Sequence, residues 1–205
     1  NYTLGCKRVL ISNDYYPALS RKNVDVITTG IDHIEADAVV TTDGKRHEVD
    51  CLIYGTGFQV ADPYPRGAII GRGGLDIVDA WRDGAHAYLG STLPGYPNFF
   101  MIVGPNTGLG HNSMVFMIES QIEYILGALQ AMRRERADAI EVRPHVEAQF
   151  NDDLQGKLKK AIWSTGGCKS WYLDPRTGKN TTLWPGFTWR FRQATAHFSI
   201  ADYHA

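Results

Sequence analysis

The sequence predicts an α/β fold, and three features support this prediction: two apolar strands that each end in glycines, and a long amphipathic helix. The first strand is Val49–Tyr54, which runs into Gly55-Thr-Gly-Phe58. The second is Phe99–Val103, which runs into Gly104-Pro-Asn-Thr-Gly-Leu-Gly-His-Asn-Ser113. Parallel strands that are buried on both faces are continuous apolar runs, and ligands collect at their carboxyl ends. We therefore expect the two loops, on neighbouring strands, to form a ligand site.

The long helix is predicted to begin near Ser113. Apolar residues recur after it at alternating spacings of three and four, which predicts one buried face made of Val115, Ile118, Ile122, Ile125, Leu129 and Met132. Glycines in the preceding loop allow the backbone to approach a ligand, and the helix start offers unpaired N–H groups and a positive dipole end. These features favour a partly anionic, planar or phosphate-bearing cofactor. The alternatives are a tight turn at Gly55 and Gly57 and a plain helix entry at the second loop.

Short strands and turns are predicted before the first loop. Lys7–Ile11 and Val24–Thr28 are strand-like, and residues 38–41 and 47–49 flank an Asp43-Gly44 turn, which is a hairpin signal.

After the first loop, the sequence predicts two further helices, one strand and an irregular tail. We expect a short helix near Leu75–Trp81, a strand at Ala87–Ser91, and an irregular tail, Gly166–Ala205, that wraps the outside. Pro144 suits the first turn of a second amphipathic helix. Its apolar residues repeat every four positions: Val146, Phe150, Leu154, Leu158 and Ile162.

Charge and cysteine usage exclude several function classes. The 21 basic and 22 acidic residues nearly cancel, which argues against nucleic acid or an anionic membrane as a partner. No apolar run approaches the roughly 20 residues that a membrane-spanning helix needs. Cys6, Cys51 and Cys168 occur singly, which favours reduced thiols in a cytoplasmic protein. Neither the cysteines nor the seven histidines show zinc-ligand spacing, so no metal site is predicted.

Several motifs resemble one enzyme family. Asp50-Cys-Leu-Ile-Tyr-Gly-Thr-Gly-Phe58 resembles the D-x-x-I-x-(A/G)-T-G-F signature of class B flavoprotein monooxygenases. Gly5-Cys-Lys-Arg8, the 104–113 loop and Leu183-Trp-Pro-Gly-Phe-Thr-Trp-Arg-Phe-Arg192 resemble the Baeyer–Villiger branch. The resemblance implies an enzyme that uses FAD, NADPH and O₂ to convert a ketone into an ester or lactone. A sulfur- or nitrogen-oxidising flavin monooxygenase and a non-catalytic fragment or interaction module remain alternatives.

The two G-x-G-x-x-G fingerprints of that family do not occur in the sequence, and Gly108-Leu-Gly-His-Asn-Ser113 is the nearest approach. The resemblance therefore implies an incomplete FAD/NAD(P)-binding, Rossmann-like fold with carboxyl-terminal helices and an irregular tail. Residues 1–48 correspond to the end of the NADPH domain and linker strands, 49–140 to the carboxyl-terminal part of the FAD domain, and 141–205 to the helix and tail. The missing amino-terminal FAD/NADPH-binding portion becomes an expected partner, and the isolated segment is expected to be inactive.

The resemblance also implies roles for individual residues. Arg8 would lie beside the flavin ring and stabilise negative charge there, since guanidinium stays charged and offers several directed donors. Lys7 would meet the 2′-phosphate of NADPH; a solvated surface is the alternative for both cations. His111 is interpreted as a loop residue. The remaining cofactor-binding candidates are Asp50, Gly55, Thr56, Gly57, Phe58, Gly104, Pro105, Asn106, Asn112 and Ser113. Helix capping is the alternative for Asn112 and Ser113, and a strand end is the alternative for Asp50.

Overall fold

The computed structural model describes residues 2–57, 64–110 and 112–205. These residues belong to two compact units. The smaller unit is Leu10–Phe58, and the larger unit combines Asn1–Val9 with Gln59–Ala205. Phe58 and His111, which the sequence analysis singled out, lie outside the described residues.

The smaller unit contains one helix and a three-stranded antiparallel sheet. Its elements are α1 (Tyr15–Leu19), β1 (Ile31–Ile34), β2 (Ala38–Thr41) and β3 (Arg46–Glu48), with β2 in the middle of the sheet. The predicted hairpin between β2 and β3 is confirmed: the Gly44 N–H donates to the Thr41 carbonyl at 2.8 Å. Gly44 has a φ of +80°, a conformation that glycine adopts without steric penalty.

The larger unit is mainly helical. Its elements are α2 (Ile77–Ala80), α3 (Met114–Glu135), β4 (Glu141–Val142), α4 (Pro144–Leu158), α5 (Ile162–Thr165), α6 (Thr188–Thr195) and β5 (Tyr203–His204), with 3-10 turns at Arg72–Gly74 and Ile200–Asp202. The antiparallel pair of β4 and β5 returns the end of the chain to the segment after α3. The predicted starts of α3 and α4 are confirmed. The α4 helix stops at Leu158, so Ile162 belongs to a separate helix.

Five predicted strands are wrong. The structure has no strand at 7–11, 24–28, 49–54, 87–91 or 99–103. A strand without a partner leaves its backbone N–H and C=O groups without hydrogen bonds. Among the described residues, no strand pairs with Val49–Tyr54. This segment is also not buried, since Ile53 is 88% exposed. At 99–103 the backbone bonds elsewhere: the Met101 N–H donates to the Ser91 carbonyl, and the Val103 N–H donates to Gln121 Oε1 at 2.9 Å.

The predicted buried face of α3 is wrong for three of its six residues; Ile118, Ile125 and Met132 are partly buried. Val115, Ile122 and Leu129 are 60%, 42% and 49% exposed. The buried residues of the helix are Met117, Ser120, Gln121, Tyr124, Ala128 and Ala131. Polar residues occupy this face because their groups are hydrogen-bonded: Gln121 Nε2 donates to the Gly90 carbonyl at 2.9 Å, and the Tyr124 hydroxyl lies 2.9 Å from the Tyr203 hydroxyl.

The carboxyl-terminal tail does not simply wrap the outside. Tyr172, Leu183, Phe191 and Tyr203 are all buried. Phe191 joins a core cluster with Leu109 and Met117, and Tyr203 joins another with Tyr124. The tail therefore supplies core residues to the larger unit.

The prediction of reduced thiols is wrong for two of the three cysteines. Cys6 and Cys168 form a disulfide, whereas Cys51 is free and exposed. The bonded residues are 162 positions apart, so only the fold brings them together. Among the described residues, no helix has the length and apolar character to cross a bilayer, and no group of three His, Cys, Asp or Glu side chains is placed to hold a metal ion.

Candidate functional site

A cavity of about 350 Å³ lies within the larger unit. Arg8 lines it together with Gly104 and Pro105, so three of the predicted site residues come together. Met114, the first residue of α3, lines the same cavity and places the helix start at its wall. The remaining wall is largely aromatic and aliphatic: Tyr64, Trp81, Ala85, Met101, Val103, Leu109, Trp171, Tyr172 and Leu183, with Gly108, Thr181 and Thr182 between them. Such a wall suits a small organic ligand that is oriented by a few polar groups.

The disulfide lies close to Arg8 in the sequence. Cys6 is fully buried two residues before Arg8, and the Thr3 N–H donates to the Gly166 carbonyl at 2.9 Å. Gly166 packs so closely that a Cβ on it would lie 2.8 Å from Cys6 Cβ. The segment after Cys168 then supplies Trp171 and Tyr172 to the same cavity. Two distant stretches of sequence are therefore joined beside the site.

The glycines of the 104–113 loop are needed by the fold itself. A Cβ on Gly104 would lie 2.2 Å from the Gly90 carbonyl oxygen, and one on Gly108 would lie 2.7 Å from the Thr182 carbonyl oxygen. Gly108 also pairs with the tail, since its N–H donates to the Thr182 carbonyl at 2.8 Å. The sequence analysis expected these glycines to allow a ligand to come close to the backbone. At Gly104 and Gly108, the group that comes close is a carbonyl of the protein itself.

Asn106 holds the tail against the loop. It is buried with a φ of +58°, and its Nδ2 donates to the carbonyls of Asn180 at 2.7 Å and Leu183 at 3.1 Å. It is not among the residues that line the cavity. Its observed contacts are structural, and its role in cofactor binding stays a prediction.

The start of α3 lacks the expected side-chain cap. Ser113 occupies the N-cap position, but its side chain makes no capping hydrogen bond. Instead, Asn112 Oδ1 accepts from the Ser113 N–H at 2.8 Å, and Asn112 Nδ2 donates to Thr188 Oγ1 at 3.0 Å, which links the starts of α3 and α6. The hydroxyl of Ser113 therefore satisfies none of the N–H groups in the first turn of α3.

Five further cofactor-binding candidates are described by the structure, and all five are exposed. Asp50, Gly55, Thr56 and Gly57 lie in the smaller unit, outside its helix and strands. A Cβ on Gly55 or Gly57 would meet nothing within 4 Å, and Gly57 has a φ of +83°. In the larger unit, Lys7 is exposed, with Nζ 4.6 Å from the centre of the Tyr2 ring. Binding by these residues stays a prediction.

Sequence reasoning missed Tyr172. Its side chain is 2% exposed, and its hydroxyl has no hydrogen-bond partner among the described residues. Burial raises the pKa of Tyr172, and the positive charge of Arg8 opposes that rise. The aromatic-rich composition of the tail was visible in the sequence, but no motif distinguished this residue from its neighbours.

Curated relatives match the whole chain. A Baeyer–Villiger monooxygenase of Pseudomonas aeruginosa is 54% identical over 100% of this chain and 39% of its own length. A Baeyer–Villiger monooxygenase of Streptomyces coelicolor is 41% identical over 99% of this chain and 39% of its length. The chain is therefore similar over its whole length to part of each of two proteins named Baeyer–Villiger monooxygenase. No family model matches the chain.

Solved structures agree with this similarity. Cyclohexanone monooxygenase from Rhodococcus sp. Phi1 bound to NADP⁺ superposes on this chain with a TM-score of 0.80 and 30% identity. The match covers 93% of this chain and 36% of the cyclohexanone monooxygenase chain. A steroid monooxygenase bound to NADP shows the same fold, with a TM-score of 0.83 and 24% identity. The match covers 100% of this chain and 40% of the steroid monooxygenase chain. The predicted α/β class, as a partial Rossmann-type fold, is confirmed. The chain spans 39% of the length of the curated relatives described here.

Proposed function

We propose that this chain forms the carboxyl-terminal part of an FAD- and NADPH-dependent monooxygenase that inserts one oxygen atom of O₂ into a ketone. The product would be an ester or lactone, as the names of the two bacterial relatives indicate. A further relative, from Aspergillus niger, is named FAD-binding monooxygenase at 37% identity. The observation that carries the proposal is that Arg8, Gly104, Pro105 and the start of α3 line one cavity.

The cavity fits part of a flavin site. A volume of about 350 Å³ is at the lower end of the range of about 300–1,000 Å³ for small-molecule sites. It therefore suits one ring system or a small ketone rather than a whole dinucleotide. The positive end of α3 and the guanidinium of Arg8 both favour negative charge at this place. When bound, FAD would supply the oxygen-activating redox chemistry, with NADPH as the source of hydride.

The residues of this chain would bind, orient and stabilise charge. Arg8 lies two residues after the disulfide-bonded Cys6 and lines the cavity, where its guanidinium would stabilise a developing negative charge. Trp81, Met101 and Leu109 would form an apolar wall against the bound ligand. We propose that Lys7 and the Asp50–Phe58 segment contact the cofactors together with an amino-terminal portion of the protein.

Arginine substitution in the complete enzyme tests this proposal. We expect Arg8→Ala to keep stoichiometric FAD but to lower kcat for ketone oxygenation by about 10²–10³-fold, the range for removing one charge-stabilising donor. Arg8→Lys should recover only part of the rate, since an ammonium lacks the planar fork of donors. Arg133→Ala, which removes an exposed arginine near the end of α3, is the matched control. Unchanged ketone turnover in Arg8→Ala would remove Arg8 from the mechanism, and oxidation of a thioether but of no ketone would contradict the proposed reaction.

A further inference from the structure

The α3 helix carries a second apolar face, which no described residue covers. Its four members are between 42% and 60% exposed: Val115, Ile122, Leu126 and Leu129. They recur at spacings of seven, four and three, so they lie on one line that extends over about 21 Å of the helix. This line, the outer stripe, lies away from the buried face: Ile122 and the buried Tyr124 are two positions apart and point in nearly opposite directions.

The exposed face of α4 shows how a solvated helix face is built in the same unit. Its exposed positions carry mainly polar or charged side chains, among them His145, Gln149, Asp152, Asp153 and Lys157. Exposed apolar residues are ordinary when they are scattered, but a continuous apolar patch marks a surface that another group covers. A helix that is apolar on opposite faces is normally buried between two layers. The outer stripe of α3 therefore has the character of a packing surface.

We propose that the outer stripe packs against an apolar surface of the amino-terminal portion of the complete enzyme. This inference rests on the proposed function and names the surface through which the two portions of that polypeptide meet. The Pseudomonas aeruginosa relative matches this chain over 39% of its own length, so most of that polypeptide lies outside the matched part. A segment of the same polypeptide is held at high effective concentration, so a narrow stripe is enough to bind it.

Two other occupants fit the outer stripe less well. A specific interface between separate chains takes about 20–30 residues from each partner, far more than this stripe offers. A helix that lies on a membrane surface is rich in lysine and arginine on its polar face. Between positions 115 and 129, however, the charged residues of α3 are Glu119 and Glu123, which an anionic lipid surface would repel.

Cysteine labelling of the complete enzyme tests whether the outer stripe is covered. Ile122 and Glu123 are neighbours on α3 and are both exposed in this structure, and their side chains point about 100° apart. We expect Ile122→Cys to react with iodoacetamide at least about 10-fold more slowly than Glu123→Cys, because a buried thiol is inert. Peptide mass spectrometry reads each site, and the two rates should become equal in guanidinium. Equal rates in the native enzyme overturn the inference.

A charge placed on the outer stripe supplies a second readout. Leu126 and Gln130 lie one turn apart and are both exposed in this structure, so the same aspartate substitution can be compared at the two positions. In the complete enzyme, Leu126→Asp should lower the melting midpoint by at least about 5 °C, because it buries a charge in an apolar interface. Gln130→Asp should shift the midpoint by about 1 °C or less. A Leu126→Asp enzyme that fails to fold beside a folded Gln130→Asp enzyme also supports the inference, and equal midpoints overturn it.

The possible outcomes separate this inference from the proposed function. Protection of Ile122→Cys without any oxygenated ketone product rejects the proposed reaction and still supports the packing surface. Ketone oxygenation with equal labelling rates keeps the proposed function and rejects the packing surface. Protection that disappears once dilution has separated the enzyme into single copies, as measured by sedimentation, assigns the outer stripe to a second copy of the chain and also overturns the inference.

Discussion

Cys6 and Cys168 are bonded across 162 residues, with their Cα atoms 6.2 Å apart. Arg8 follows the first cysteine by two residues and Tyr172 follows the second by four, and both line the cavity. We predict that Cys6→Ser lowers the free energy of unfolding by about 2–5 kcal/mol, because the disulfide restricts the unfolded chain. Guanidinium unfolding of the oxidised protein measures this loss.

The control for the disulfide prediction is Cys51→Ser, which removes the free, exposed thiol. Its unfolding midpoint should match that of the unsubstituted protein. Equal midpoints for Cys6→Ser and Cys51→Ser, or two free thiols at Cys6 and Cys168 in the purified protein, would contradict the prediction. The second result would agree with the reduced, cytoplasmic protein that the cysteine spacing had suggested.

A second prediction concerns the pair of His86 and Glu147. His86 Nδ1 lies 2.6 Å from Oε1 of the buried Glu147, which Asn151 Nδ2 also contacts at 2.6 Å. Burial and the nearby charge of Lys179 lower the pKa of His86, but the hydrogen bond and charge of Glu147 outweigh them, and the pKa is raised above its ordinary value of 6.5. Protonated His86 is therefore favoured in the folded state.

The sign of the pH dependence follows from this shift. The stabilisation is fully present below a pH of about 6.5 and is lost as the pH rises through the folded pKa of His86. We expect a loss on the order of 1 kcal/mol or less, because the His86 side chain is partly exposed and solvent screens the pair. Urea unfolding between pH 5.5 and pH 8.5 measures it, at roughly the range where histidine titrates.

His86→Gln should flatten this part of the stability profile, whereas His145→Gln should not. His145 is an exposed histidine near the start of α4 and is the matched control. A profile that keeps its slope in His86→Gln would assign the pH dependence to another group.

Local sequence signals predicted local structure well. Asp43-Gly44 marks the hairpin of the smaller unit, and Pro144 marks the start of α4, because in each case the deciding residues are neighbours in the sequence. The convergence of Arg8 with Gly104 and Pro105 was also predicted, although it came from resemblance to a family and not from periodicity.

Features that depend on distant partners were not predictable in the same way. The apolar run Val49–Tyr54 has strand character, but a strand forms only where another strand bonds to it. The disulfide and the burial of Tyr172 likewise depend on segments far apart in the chain. On α3, hydrogen bonds from Gln121 make a partly polar face the buried one, which hydrophobic periodicity cannot show.

The role of the loop glycines gives a third prediction. A Cβ on Gly104 would lie 2.2 Å from a backbone oxygen that cannot easily move, so Gly104→Ala should destabilise the protein by about 1–3 kcal/mol. Gly156 lies inside α4 with nothing within 4 Å of its Cβ position, so Gly156→Ala should stabilise by about 0.5–1 kcal/mol. Thermal unfolding of the two variants should shift in opposite directions. A stable Gly104→Ala protein would show that the loop has room for a side chain.

The last prediction tests which face of α3 is buried. Gln121 donates to the Gly90 carbonyl and accepts from the Val103 N–H, so it supports the loop segments on both sides of Met101. Gln121→Leu keeps a similar volume but leaves both backbone groups without their partner, and we expect a loss of about 1–3 kcal/mol per unsatisfied group. Leu129, a member of the apolar stripe predicted from periodicity, is 49% exposed, so Leu129→Gln should change the stability of this chain by less than about 0.5 kcal/mol. If that stripe were the buried face, Leu129→Gln would have a larger effect than Gln121→Leu in the same unfolding experiment.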